Sequence, residues 1–197
     1  TLDRAPETAS ASIGFEKALA KSSADGSLLH LRWATTGLSV KEENTHPFVY
    51  KDFSFIHNGA IYPPSAMDSF IDSAYKPLIH GDTDSERYFY YLLSSISKHG
   101  LQEGVKIAVE RIRASMNFSS INAMILNEDF FVVICEYDQA RRPDWAPDDY
   151  YELKYKENND AVMVASTGWE QDGWKKLPNH HFLLVDRSSL EVTIIPL

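Results

Sequence analysis

Cysteine is almost missing from this chain. Cys135 is the only one in 197 residues, so no internal disulfide can form, which fits a reducing compartment. Basic charge is also short: 19 Lys and Arg stand against 28 Asp and Glu, a net charge of -9. That balance argues against nucleic acid or an anionic membrane as a general partner. No apolar run approaches the ~18 residues of a membrane span. The first ten residues, TLDRAPETAS, lack the basic and apolar regions of a signal peptide, so a cytoplasmic setting is expected. There is no Gly-rich phosphate loop, no G-x-S-x-G elbow and no H-E-x-x-H pair. Nor is there an internal repeat or a Gly/Ser linker that would divide the chain, so one domain is expected over 1–197.

What is present suits a packed core: 44% of residues are hydrophobic and 12% aromatic. Residues 12–21 carry helical spacing, and SLLHLRW (27–33) reads as a short apolar strand. DFSFIH reads as a strand that runs into the turn dipeptide Asn58-Gly59, and Pro63-Pro64 as the opening of a helical segment through Ala74. Thr83 and Glu86 have capping-box spacing at the head of a long helix that Gly100 would stop. A second helix is expected around 102–115. INAMILN, FFVVICEY, AVMVAST, HFLLVD and EVTIIP then have strand length and composition. The order gives an α+β class with antiparallel sheet. The polar stretch from Asp138 to Asp160 is compatible with a hairpin or with a flap. Alternation puts Phe131, Val133 and Cys135 on one strand face, so a buried, inert thiol is expected.

Chemistry-bearing residues gather in three clusters: HLRWATTG (30–37), NTHPF with FIHNG (44–48 and 55–59), and GDTDSE (81–86). Arg32 lies among apolar residues and needs a partner, either a protein carboxylate or a ligand carboxylate gripped in bidentate fashion. Asp82 and Asp84 flank a helix start, where capping would occupy one and leave the other for a cationic group. His30, His46, His57, His80, Asp82 and Asp84 share this half, but none has metal-site spacing, so no metal and no cofactor is expected.

These clusters, in this order, resemble the class II glutamine amidotransferase domain, an N-terminal-nucleophile hydrolase. The matching residues are HLRWATTG, NTHPF, FIHNGAI and GDTDSE followed by the YFYYLL helix. The run VMVASTGWEQDGWKKLPNHHFLLVD also looks like the end of stand-alone members. The resemblance implies a four-layer αββα sandwich and hydrolysis of glutamine or a γ-glutamyl amide, releasing ammonia or an amine. By position, Arg32 matches the arginine that holds the substrate α-carboxylate and Asp84 the aspartate that takes its α-ammonium. Asn58, through its side-chain amide, and Gly59, through its N–H, match the oxyanion hole. Trp33, Thr35 and Thr36 match the loop on the substrate side, although many members have histidine at the place of Thr36.

The family nucleophile is an N-terminal cysteine, and Cys135 lies in the wrong element to be its counterpart. The domain is therefore expected to have its first strands, and its thiol, outside these residues. Thr1 is a rival nucleophile, but TLDRAPETAS makes a poor buried strand. The implied partners are a small-molecule glutamine-like substrate and either a synthase or a separate N-terminal fragment, with no nucleic acid and no membrane. The competing function is a binding or regulatory module that keeps the pocket and has lost catalysis.

Overall fold

The computed structural model describes residues 1–21, 23–32 and 40–197. Nine strands, all paired antiparallel, form two sheets among them. The larger sheet has the order β1-β2-β3-β4-β8-β9, built from Phe48–Tyr50, Phe53–Tyr62, Asn117–Leu126, Phe130–Cys135, His181–Asp186 and Val192–Pro196. The smaller has the order β6-β5-β7, from Val162–Ser166, Leu153–Glu157 and Lys175–Leu177. Helices α1 (Ile13–Lys21), α2 (Asp84–His99) and α3 (Leu101–Ser115) complete the regular elements. The α+β class and the antiparallel sheets expected from sequence are both present.

Period-two alternation decides the layering. Phe55, Ile125, Val132 and Phe182 point to one face of the large sheet, where they meet Phe89, Leu92, Val105, Val109 and Ile112 of α2 and α3. Val133, Cys135, Leu183 and Val185 point to the other and pack on Tyr151, Leu153, Tyr155 and Leu177 of the small-sheet layer. A helix layer, a six-stranded sheet and a three-stranded sheet thus stack in that order. Helix α1 contributes no residue to either apolar cluster.

Helix α2 begins as its sequence dictates: Thr83 caps it, its hydroxyl accepting the Glu86 N–H at 3.2 Å. It ends at Gly100, whose φ of 80° is open to glycine and whose N–H reaches Ile96 O at 2.9 Å. The helix is buried on more than its one apolar stripe, since Ser85, Glu86, Tyr88, Tyr90, Tyr91, Ser94 and Ser95 are also covered. Helix α3 buries Val105, Ala108, Val109 and Ile112.

Several local readings fail for physical reasons. Residues 27–32 form no strand: their backbone makes no ladder with a described strand, although the His30 side chain reaches β2, and Leu29 and Leu31 are exposed. After Pro63 only a 3₁₀ turn forms, Pro64–Met67, in place of a helix to Ala74. β5 and β7 escape notice because LKYKE and KKL are short and mostly charged. In the stretch after Asp138, left open between a hairpin and a flap, Leu153–Glu157 pairs with Val162–Ser166 as a hairpin, and Tyr151 and Tyr155 pack into the second core. Most consequential for function, the chain does not turn at Asn58-Gly59: β2 runs through them to Tyr62.

Candidate active site

The centre of β2 explains how an Asn-Gly pair can stay in a strand. His57 pairs with Ala123, Asn58 with Asn122 and Gly59 with Ile121, after which the register slips before Ile61 meets Phe118. Such a bulge needs an unusual backbone, and Gly59 has φ 139°. A Cβ there would lie 2.0 Å from the Ser120 carbonyl oxygen, so only glycine fits. Ile121 donates its own N–H to Glu136 O (2.9 Å), on the β4 side. Gly59 and Ile121 are therefore a non-hydrogen-bonded pair, and the Gly59 N–H turns away from β3 toward the outer edge of β2. β1 covers that edge only as far as Phe55, and the Asn58 side chain is exposed. A backbone donor and a side-chain amide thus stand next to each other at a strand edge that no described strand covers past Phe55.

The first turn of α2 holds this segment from both ends. His57 is buried. Its Nε2 faces the Ser120 carbonyl at 3.3 Å, which can only accept, so Nε2–H donates and Nδ1 accepts the Ser85 hydroxyl at 2.9 Å. Burial pushes the His57 pKa down, with the Asp84 charge and the Ser120 carbonyl acting the other way. Two residues past Gly59, the Ile61 N–H donates to Asp84 Oδ2 at 2.8 Å. The other Asp84 oxygen has no hydrogen-bond partner among the described residues.

The rest of GDTDSE builds the turn that delivers Asp84. Glu86 does not return to the cap N–H as a capping box would; its carboxylate takes the N–H groups of His80 (3.0 Å) and Gly81 (2.6 Å). Asn44 Oδ1 accepts the Asp82 N–H at 3.0 Å, which ties the NTHPF loop to the same turn. Neither aspartate caps the helix. Thr83 does, and Asp82 pairs with Lys41 at 2.8 Å.

His30 approaches β2 from outside, its Nε2–H donating to His57 O at 3.1 Å. Its ring lies 4.0 Å from that of His46, which in turn meets Phe48 edge-on at 4.9 Å. His46 is buried, and neither nitrogen has a hydrogen-bond partner among the described residues. Burial, followed by the nearby His57 and Arg32, pulls the His30 pKa down to about 4 against the pull of its bond to His57 O. His46 is pushed down as well, first by burial. Arg32 is half-buried and makes no ion pair or hydrogen bond with a described residue, so the internal salt bridge weighed for it is not found there. Arg32, His30 and His46 line a groove of about 1440 Å³.

The neutral histidine has a measurable consequence. Above pH 6.5 both folded and unfolded chains hold His30 neutral. As pH falls toward 4 the unfolded chain takes up a proton that the folded one refuses, so stability present at pH 7 is lost. From the 6.5-to-4 displacement the loss is about 3 kcal/mol for this residue. Urea midpoints at pH 7 and pH 4.5 should differ markedly, and His30→Gln should reduce the difference; an unchanged difference in that variant would contradict the assignment.

Of the residues singled out from sequence, the structure brings Asn58, Gly59 and Asp84 together on β2 and the head of α2. Arg32 stands two residues from the His30 that touches the same strand. Trp33, Thr35 and Thr36 lie outside the described residues. Cys135 belongs to the second core: it is buried with its Sγ 3.7 Å from Leu177 O, and burial pushes its pKa up to about 12. Ser120 lies outside the clusters picked from sequence, while Ser85 and Asn44 lie inside them but were given no part of their own. Ser85 could have been suspected from its place beside Asp84, but its partner His57 is 28 residues away in sequence. Among the described residues, no group of three or more His, Cys, Asp or Glu is placed to hold a metal ion, and no helix is long and apolar enough to cross a membrane.

With this geometry in view, comparison with known proteins is informative. The profile of the glutamine amidotransferases class-II family matches residues 5–194. The probable glutamine amidotransferase DUG3 of Saccharomyces cerevisiae is 24% identical over 213 residues, covering 86% of this chain and 59% of that protein. An uncharacterized protein of Methanocaldococcus jannaschii is 30% identical over 123 residues, covering 58% of this chain and 32% of its own length. The chain therefore spans about 59% and 32% of these two relatives. Among solved structures, a glutamine aminotransferase class-II domain protein from Silicibacter pomeroyi superposes with a TM-score of 0.58 at 18% identity, covering 78% of this chain and 70% of that one. The glutamine phosphoribosylpyrophosphate amidotransferase of B. subtilis superposes with a TM-score of 0.50 at 14% identity, covering 83% and 33%. At such identities the structures speak for the fold, and the profile speaks for the lineage: the chain belongs to the class-II glutamine amidotransferase family.

Proposed function

We propose that the protein hydrolyses the side-chain amide of glutamine or of a γ-glutamyl compound, releasing ammonia or an amine. The observation that carries this reading is the Gly59 N–H turned to the outer edge of β2, where no described strand pairs, beside the exposed Asn58 amide, with Asp84 bound to Ile61 two residues on. A carbonyl placed at that edge would meet two neutral donors as it becomes an oxyanion. Arg32 would take the substrate α-carboxylate, its guanidinium being unclaimed by any described side chain, and Asp84 the α-ammonium. Trp33, Thr35 and Thr36 would lie along the substrate. No metal or cofactor is required.

The nucleophile would be the thiolate of an N-terminal cysteine on a segment preceding Thr1, with residues 1–197 supplying the rest of the domain. The thiol proton passes to the free α-amino group and then to the departing nitrogen, leaving a γ-glutamyl thioester. Water, deprotonated by the same amine, releases glutamate and restores the thiol. A cytoplasmic enzyme acting alone, or feeding ammonia to a synthase partner, suits this chemistry. The family lineage and a relative named as a probable glutamine amidotransferase support it.

The second reading is a module that binds glutamine or glutamate without cleaving it, favoured by the burial of the sole cysteine in these residues away from the site. Ammonia release from glutamine by the full-length protein separates the two. Release supports hydrolysis; glutamate binding without release supports the module.

A further inference from the structure

Two hydrogen bonds tie β2 to adjacent residues at the head of α2, and they bracket the oxyanion donors. His57 Nδ1 accepts from Ser85, and the Ile61 N–H donates to Asp84. Between these clamps lie Asn58, Gly59 and Ala60. The His57 ring is also bound at its far nitrogen to Ser120 O, the atom that a side chain on Gly59 would strike. One imidazole thus holds both the helix that carries Asp84 and the carbonyl that shapes the bulge.

Packing alone does not require this arrangement. Phe55 lies alongside His57 at 6.5 Å between ring centroids and Tyr88 meets it edge-on at 5.4 Å, an environment in which a phenyl ring would fit without polar partners. Here a buried imidazole is kept neutral and its two nitrogens are both satisfied, as buried polar groups require. What the ring adds over a phenyl is a fixed link between two substrate-facing features, the Asp84 carboxylate and the Gly59 N–H.

We propose that the His57–Ser85 contact is a positioning device for the oxyanion hole, setting the Gly59 N–H relative to Asp84. This rests on the hydrolase reading above. His57 and Ser85 touch no reacting atom; they act through Gly59 and Asp84. Displacements on the order of 1 Å at a reacting centre can cost up to 10²-fold in rate, so loss of one clamp bond should cost about 10-fold in kcat.

The test uses the full-length protein and its Ser85→Ala, Ser85→Thr and His57→Phe variants, with rates normalised to folded protein. Ser85→Ala and His57→Phe should lower kcat for glutamine about 10-fold and leave KM within about 2-fold, and Ser85→Thr should restore the rate. An aldehyde analogue of glutamine, which forms a hemithioacetal whose oxygen occupies the oxyanion position, should bind about 10-fold more weakly to Ser85→Ala. Glutamate, which reads Arg32 and Asp84, should bind it unchanged. A Ser85→Ala variant that keeps kcat, or weakens glutamate and aldehyde equally, overturns the positioning role while an active parent preserves the hydrolase reading. An inert full-length parent overturns both.

Discussion

Asn58→Ala is expected to lower kcat for glutamine by about 10²- to 10³-fold while the protein folds as before. The rate loss is that expected for the proposed oxyanion donor, roughly 3 to 4 kcal/mol of transition-state stabilisation. The folding half follows from place. Asn58 is exposed at the middle of β2, contributes nothing to either apolar cluster, and leaves the strand pairing to Asn122 in backbone hands. KM should move little, because the donor strengthens its bond only as negative charge develops on the oxygen. Steady-state kinetics with a urea melt of the same preparation checks both halves. A variant with unchanged kcat removes Asn58 from the oxyanion hole, and one that is inactive only because it unfolds removes the argument from placement.

Gly59→Ala should fail at the fold itself. The φ of 139° is a conformation that side chains rarely adopt, and strain of this kind costs of order 1–3 kcal/mol. The methyl would also meet the Ser120 carbonyl at 2.0 Å. That carbonyl cannot easily retreat, because it belongs to the β3 backbone and accepts from His57. The bulge must therefore open, carrying the Gly59 N–H away from the edge. A lowered urea midpoint together with lost turnover is the expected result. An alanine variant with normal stability would mean that the strand does not pass Ser120 as described.

Those two neighbours show how the sequence can be right about a residue and wrong about its setting. Asn-Gly is a strong turn signal because both residues tolerate positive φ, and Gly59 does use that freedom. It spends it on a bulge inside a strand, because β2 pairs with β3 on both sides of it, from Ser54 to Gly59 and again at Ile61 and Tyr62. Pairing with a segment more than sixty residues away overrides a dipeptide preference, and nothing local announces it. The long elements were legible for the opposite reason. α2 carries its cap at Thr83 and its stop at Gly100, and β3, β4 and β8 are apolar runs that only a sheet covered on both faces accommodates.

The site was legible as residue types and illegible as connections. Asp84 stood out as a carboxylate at a helix start, but its hold on Ile61 is a contact across 23 residues. Glu86 looked like half of a capping box and proves to brace the loop before its own helix. Residues 27–32 read as a strand from composition alone, yet a strand also needs a neighbour to take its hydrogen bonds. Leu29 and Leu31 stay in solvent beside the groove that Arg32 lines.

The most direct measurement is ammonia release from glutamine by the full-length protein, compared with two cysteine substitutions. One ammonia and one glutamate per turnover are expected, abolished when the proposed N-terminal cysteine is replaced by serine and retained in Cys135→Ala. Turnover that survives loss of the N-terminal cysteine, or that depends on Cys135, would contradict the proposal.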